Sequence, residues 1–221
     1  MAIECAAFVN AGQQVVISGR RSYFYSYDLT SGVSNRCSGV MSAKERGLKS
    51  CELLRVSPNG SRVAIGGSGG YVHILCGRTL TWLADVKMNC GVRSLAFLSE
   101  DRLVTAGVDA DIYEWDLRAT HRPKCQLKYR NEDGSAVSCL SARQASGSGR
   151  EEYYLAAGSE SGVVTLYSGS SGSPPEAVRS MFNLTTKITT LAIHPSGSLL
   201  GLASHHVRKL CCVTCTHSSY L

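Results

Sequence analysis

Nowhere does this chain hold an apolar run near the roughly 20 residues that a helix needs to span a bilayer, and Met1–Asn10 lack the basic stretch and apolar run of a secretory leader. Without export, the ten cysteines read as free, largely buried thiols in a reducing compartment. The sequons at Asn59-Gly60-Ser61 and Asn183-Leu184-Thr185 are then idle, because the chain never meets the glycosylation machinery. A long helix is missing too. Proline is scarce (5 residues) beside 22 glycines, with Ser and Thr scattered throughout; that mixture suits short strands joined by tight turns and excludes a helical bundle. Charge of one sign is in short supply as well. Twenty-three basic against 17 acidic residues leave a net +6, which favours a polyanionic neighbour without the dense footprint of an autonomous nucleic-acid binder.

What the 221 residues do contain is repetition. Small-residue pairs follow apolar runs at Ile17-Ser18-Gly19, Ile65-Gly66-Gly67, Thr105-Ala106-Gly107, Ala156-Ala157-Gly158 and Leu202-Ala203-Ser204, at spacings of 48, 40, 51 and 46. A propeller blade takes about 40–45 residues, and loop insertions account for the excess. After four of the pairs comes a short turn and an alternating strand: Tyr23–Tyr27, Tyr71–Leu75, Ile112–Trp115 and Val163–Tyr167. Upstream lie turns such as Ser57-Pro58-Asn59-Gly60 and His194-Pro195-Ser196-Gly197, with Pro at the second position and Gly at the fourth. The stretches Ser34–Gly47, Ala142–Arg150 and Ser168–Pro175 read as exposed loops. Trp115-Asp116 is the dipeptide that names the WD repeat, and Tyr27-Asp28 occupies the same place in the first unit. The expected fold is therefore all-β: a WD-repeat β-propeller of about five four-stranded blades, each too small to bury its own faces. The units run roughly over 1–47, 48–91, 92–136, 137–187 and 188–204, with a divergent tail at 205–221.

Candidate chemistry is thin. Gly66-Gly67-Ser68-Gly69-Gly70 fits the pattern of a nucleophile elbow, but a strand follows where that elbow needs a helix, so it reads as a turn. Asp109 and Asp111 read as turn caps rather than an acid–base pair. Cys211, Cys212, Cys215 and His217 offer one first-pair zinc spacing and no second pair, which favours free thiols over a metal site. His73 and His194 read as structurally bonded. No cofactor and no enzymatic site is expected. The basic residues carry more. Arg118, His121, Arg122, Lys124, Lys128 and Arg130 crowd the segment after Trp115, Arg20-Arg21 occupy the first unit's tight turn, and Lys44, Arg46 and Lys49 lie beside a loop. Arg20, Arg21, Arg118, Arg122, Lys124, Lys128 and Arg130 are the candidate contacts to RNA phosphate or to an acidic protein partner.

The run Ser18–Leu29 resembles the corresponding blade of the eighteenth U3 small nucleolar RNA-associated protein family, a WD-repeat subunit of the small-subunit processome. Gly70–Leu75, Lys87–Asn89 leading into Val92–Ser94, Ala157–Tyr167 and Asn183–Leu191 fit the same pattern in the same order. The resemblance implies a non-enzymatic nucleolar scaffold that supports U3-dependent pre-ribosomal RNA processing and small-subunit biogenesis. Its partners would be other WD-repeat proteins of that particle and the U3 and precursor RNA, with no membrane and no small-molecule substrate. Beyond Ser204 the sequence leaves the family pattern, so the resemblance implies a partial or truncated form whose propeller closure is open. The alternative is a substrate receptor of a cullin-based ubiquitin ligase, or another protein-interaction scaffold, suggested by the W-D-x-R of Trp115-Asp116-Leu117-Arg118.

Overall fold

Apolar segments of four to eight residues, each punctuated by turn residues, have only their sequence neighbours to pair with, and that is how this chain folds. The computed structural model describes residues 3–38, 50–67, 69–119, 123–144, 152–170, 172–182, 184–204 and 211–214. Sheet 1 holds β1 (Cys5–Val9), β2 (Gln14–Ser18), β3 (Tyr23–Asp28) and β4 (Ser34–Ser38). Sheet 2 holds β5 (Leu53–Val56), β6 (Arg62–Gly66), β7 (Tyr71–Cys76) and β8 (Trp82–Lys87). Sheet 3 follows with β9 (Val92–Ser99), β10 (Arg102–Gly107), β11 (Asp111–Asp116) and β12 (Lys124–Arg130). Sheet 4 has β13 (Val137–Gln144), β14 (Glu152–Ser159), β15 (Val164–Ser170) and β16 (Glu176–Met181). In sheet 5, β17 (Ile188–Ile193), β18 (Leu199–Ser204) and β19 (Cys211–Thr214) are described. Every pairing is antiparallel between consecutive strands, and the first strand of each sheet packs on the first strand of the next: β1 on β5, β5 on β9, β9 on β13, β13 on β17. Blades of a propeller stack in this way around a common axis.

Three loop expectations need correction. Ser34–Ser38 is β4, β13 runs on to Gln144, and β15 extends to Ser170. Backbone pairing to a neighbour makes these polar residues strands, although their side chains give no alternating pattern. The outermost strands of sheets 2, 3 and 4 also bulge at one repeated place. Leu83, Gln126 and Val178 are the extra residues, opposite Ile74/Leu75, Glu114/Trp115 and Leu166/Tyr167. A bulge there strengthens the twist and spoils the edge as a template for further strands.

The core lies between the sheets. One apolar cluster fills each of the four gaps: Phe24, Val16 and Leu75 between sheets 1 and 2; Val72, Leu103 and Trp115 between 2 and 3; Val104, Leu155 and Tyr167 between 3 and 4; Leu166, Ile188 and Leu200 between 4 and 5. Polar staples cross the same gaps. Ser94 Oγ accepts from Leu140 N at 2.8 Å, Ser141 Oγ accepts from Ile193 N at 3.1 Å, and Ser138 Oγ donates to Ile188 O at 2.5 Å. Within sheet 3, the Trp115 indole donates to Thr105 Oγ1 at 2.8 Å, satisfying the buried N–H that so large a side chain brings with it. The seven cysteines whose side chains are described are unpaired; burial pushes the thiols of Cys51 and Cys139 up to about 11, while Cys125 is exposed.

Glu100, in the turn between β9 and β10, reaches across to sheet 2 and accepts from Asn59 N and Ser61 Oγ. Beside it, Arg62 spans the same gap to Asp101 at 2.7 Å and to Leu117 O at 3.1 Å. Burial pushes the Glu100 carboxyl up, but these hydrogen bonds and the Arg62 charge outweigh it and hold the group below its ordinary 4.5. A depressed carboxyl contributes stability above its unfolded value and loses it as pH falls through the folded one. Stability should therefore decline with acid from about pH 4.5 downward, and Glu100→Gln should flatten that decline. Urea unfolding across a pH series checks this; an unchanged slope in the variant would remove Glu100 as a source of acid sensitivity.

Candidate nucleic-acid interface

β12 is the outer edge of sheet 3, so one of its faces must meet solvent. Leu127 and Tyr129 turn inward, whereas Lys124, Gln126, Lys128 and Arg130 are exposed. Tyr129 stays put because it packs edge-on to Tyr167 of sheet 4, ring centroids 5.9 Å apart, and donates to Glu114 at 3.4 Å. Lys128 and Arg130 thus share one side of the strand, opposite Tyr113 and Asp111, whereas the bulge at Gln126 puts Lys124 on the other side, opposite Asp116.

Neighbouring acids decide how free each cation is. Lys128 Nζ sits 2.7 Å from Asp111 and 5.1 Å from the centre of the Tyr113 ring; the hydrogen bonds it donates to Asp111 and then to Tyr113 hold its pKa above the ordinary lysine range. Arg118 is tied to Asp116 by contacts of 2.6 and 3.0 Å, and that pairing lowers the Asp116 pKa. Among the described residues Lys124 and Arg130 make no ion pair, although they stand opposite Asp116 and Asp111 in the ladder. Arg122, Lys44, Arg46 and Lys49 lie outside the described residues, as does Ser68 of the glycine-rich turn.

Arg20 and Arg21 do not join this strand. They occupy the β2–β3 turn of sheet 1, with sheet 2 between, and Arg20 Nε is 3.1 Å from Glu4. The six described candidates form two groups. The β2–β3 turn is, however, at the same end of the sheets as Arg130, and other cations share that end. Lys87 lies 4.0 Å over the Tyr71 ring and donates to Gly69 O at 3.1 Å; Arg93 and Lys187 both approach Glu160, at 4.0 and 3.1 Å. Sequence reasoning passed over these three because each is isolated in the chain. Their signal is positional: each closes an outer strand or opens an inner one, so the repeat itself brings them to one end. Cation–aromatic pairs recur as well, Arg36 over Tyr23 at 4.0 Å being another, although no stacking surface was evident from the sequence.

The other candidate chemistry resolves into structure. Asp109 accepts from Asp111 N at 3.4 Å and from the Tyr113 hydroxyl at 3.2 Å, so it caps its turn. His73 Nδ1 is 2.5 Å from Asp85, which also accepts from the Trp82 indole at 2.8 Å, and His194 bonds Ser196 at 2.8 Å. Side chains of Cys211 and Cys212 and all of Cys215 and His217 fall outside the described residues.

No family model matches the chain. It is 33% identical over 206 residues to the U3 small nucleolar RNA-associated protein 18 homolog of Arabidopsis thaliana, an alignment covering 91% of this chain and 35% of that protein. To the homologs of the same name from Mus musculus and Homo sapiens it is 31% and 30% identical over 209 residues, covering 92% of this chain and 36% and 35% of theirs. The chain therefore spans little more than a third of the length of these relatives, and nearly all of its own length takes part.

Proposed function

We propose that this chain is a non-enzymatic scaffold acting with the U3 small nucleolar ribonucleoprotein, as part of the small-subunit processome, in pre-ribosomal RNA processing and small-subunit biogenesis in the nucleolus. One observation carries the reading: relatives named for association with U3 small nucleolar RNA align with about nine-tenths of the chain, through all five sheets. A propeller does such work by display. Its sheets make a rigid body, and its loops, edges and strand ends offer separate surfaces to separate partners. Those partners are other WD-repeat subunits of the particle and the RNA backbone, the latter met by the cations of β12. Affinity purification of the tagged chain tests the whole reading. Recovery of U3 RNA with processome proteins is the expected result; recovery of a ubiquitin-ligase adaptor without RNA overturns it.

Direct RNA contact through β12 has its own readout. Each phosphate contact contributes about 0.7–0.9 to the slope of log affinity against log salt. Lys124→Ala combined with Arg130→Ala should lower that slope by about 1.5, because among the described residues these two cations have no counter-charge within ion-pair distance. Arg118→Ala should change it less, its guanidinium being held by Asp116. Fluorescence anisotropy on a U3 RNA fragment across a salt series measures both. Equal slopes in all three proteins would remove β12 from the interface.

A further inference from the structure

Of the six asparagines in the chain, only Asn59 is followed by glycine. It stands exposed in the turn between β5 and β6, and among the described residues its side-chain amide makes no hydrogen bond. Asparagine is among the chemically labile residues of proteins, because its amide carbon lies within reach of the next backbone nitrogen. A bond from Gly60 N to Asn59 Cγ closes a succinimide ring, and glycine has no side chain to hinder its nitrogen. The comparable pair, Asp133-Gly134, is tied down. Asp133 accepts from Ser135 N at 3.0 Å, from Asn131 Nδ2 at 2.5 Å and from Ser161 Oγ at 2.7 Å, so its carboxylate is held away from Gly134 N.

The Asn59 turn sits on the clamp between sheets 2 and 3. Asn59 N and Ser61 Oγ both donate to Glu100, while the neighbouring Arg62 is engaged by Asp101 and Leu117 O. The turn has no slack on its other side. Gly60 O packs directly on Gly77, where no Cβ would fit, and Gly77 N donates to Ser61 O at 2.8 Å. Gly60 N itself donates to Ser57 O at 2.9 Å. The closed turn therefore withholds the attacking nitrogen, and reaction proceeds from the fraction of molecules in which the turn is open.

We propose that Asn59-Gly60 is a self-modifying site, at which the chain slowly converts Asn59 to aspartate or isoaspartate and thereby loosens the clamp between sheets 2 and 3. Gly60 N gives its proton to solvent base and bonds to Asn59 Cγ; the Cγ–Nδ2 bond breaks and ammonia leaves. Water then opens the succinimide at one of its two carbonyls. Addition at Cγ breaks the new N–Cγ bond and gives aspartate. Addition at the main-chain carbon breaks the original peptide bond, so that the backbone runs on through Cγ as isoaspartate. The balance is one water in and one ammonia out, with no change of oxidation state. Either product sets a new carboxylate beside that of Glu100, where like charges repel. Isoaspartate also adds a carbon to the backbone of a turn already pinned between Glu100 and Gly77. Neither product reverts to asparagine, so the fraction of loosened clamps rises with the age of the protein.

Incubation of the folded full chain at neutral pH, then trypsin and mass spectrometry, reads the site directly, because cleavage after Arg55 and Arg62 isolates residues 56–62. Against an unincubated sample, that peptide should gain the mass of OH exchanged for NH2 and split into two chromatographic forms. The peptide holding Asp133-Gly134 should keep one form. Glu100→Ala releases Asn59 N and should speed the conversion about tenfold, the hold of a charged acceptor on the turn being lost. Asn59→Asp supplies the product charge at once, and backbone amides of residues 59–62 should then exchange about tenfold faster than in the wild type. A peptide 56–62 that stays unmodified in the folded chain, while a synthetic peptide of the same sequence converts fully, overturns the proposal. Conversion at one rate with and without the Glu100 carboxylate also overturns it, since the clamp would not govern the turn. So does unchanged exchange in both Asn59→Asp and the aged protein, which would make the reaction incidental to the clamp.

Discussion

Arg102→Met should cost the fold about 3–5 kcal/mol, the usual penalty for stripping one partner from a buried ion pair. Arg102 opens β10, and its guanidinium lies 2.6 Å from the carboxylate of Glu114 in β11; the side chains are 8% and 1% exposed. Glu114 is fully buried, and three side chains converge on its carboxylate. Tyr153 of sheet 4 donates to its other oxygen at 2.5 Å, and Tyr129 donates to the same atom at 3.4 Å. Burial, and then the carboxylate itself, push both phenols above their ordinary range, so they remain protonated donors. Methionine fills the stem's space but leaves the carboxylate with two neutral donors in a medium that cannot solvate it. For a chain of this size the loss corresponds to a fall of about 10 °C in melting temperature. Arg102→Met combined with Glu114→Gln should recover more than half, because the charge is gone while an oxygen still accepts from Tyr153. By contrast, Arg118→Ala, which breaks an exposed pair with Asp116, should stay within about 0.5 kcal/mol. Urea unfolding of the four proteins measures the set. A double variant no more stable than Arg102→Met would mean that the unpaired carboxylate is not the source of the loss.

None of that network could be read from sequence. Arg102, Glu114, Tyr129 and Tyr153 are spread over two blades, and nothing in their spacing marks them as neighbours. Each central strand was legible for a physical reason. β6, β10 and β14 are covered on both faces, so they read as largely apolar runs, and the turns after them announce themselves through Gly, as the turn before β6 does through Pro58 and Gly60. Gly60 illustrates the turns: it takes φ +73° at the fourth position of Ser57-Pro58-Asn59-Gly60 and donates to Ser57 O at 2.9 Å. Outer strands were opaque because they pair through backbone alone. β4 reads Ser-Asn-Arg-Cys-Ser and β16 reads Glu-Ala-Val-Arg-Ser-Met, neither with an alternation, and a bulge breaks the period in β16 as in β12. The candidate interface splits along the same line. That Lys128 and Arg130 share a side of one strand follows from their even spacing, but the bulge at Gln126 turns Lys124 to the other side, which spacing does not reveal. That Asp111 holds Lys128, and that Lys87, Arg93 and Lys187 gather at the end where Arg20 and Arg21 lie, depends on pairing between strands and sheets.

The same dependence sets the cost of emptying the first gap. Phe24→Ala should destabilise sheet 1 by about 3–5 kcal/mol, the sum of lost burial and the cavity left behind. Phe24 is fully buried between sheets 1 and 2, against Val9, Val16, Val63 and Leu75. Sheet 1 is held by sheet 2 alone among the described residues, so the loss has no second neighbour to share it. In stacked repeats stability is a sum of unit terms and nearest-neighbour interfaces, and a weakened terminal interface lets its unit open by itself. Hydrogen exchange should show amides of β1, β2 and β3 losing protection by a factor of about 100 or more, while those of β10, β11 and β14 keep theirs. Phe8→Ala is the matched control: the same residue type in the same sheet, but on the opposite, uncovered face. It should leave exchange in the dilute protein unchanged. If Phe24→Ala instead releases all five sheets together, the gaps are coupled more tightly than nearest-neighbour packing provides, and the stack folds as one unit.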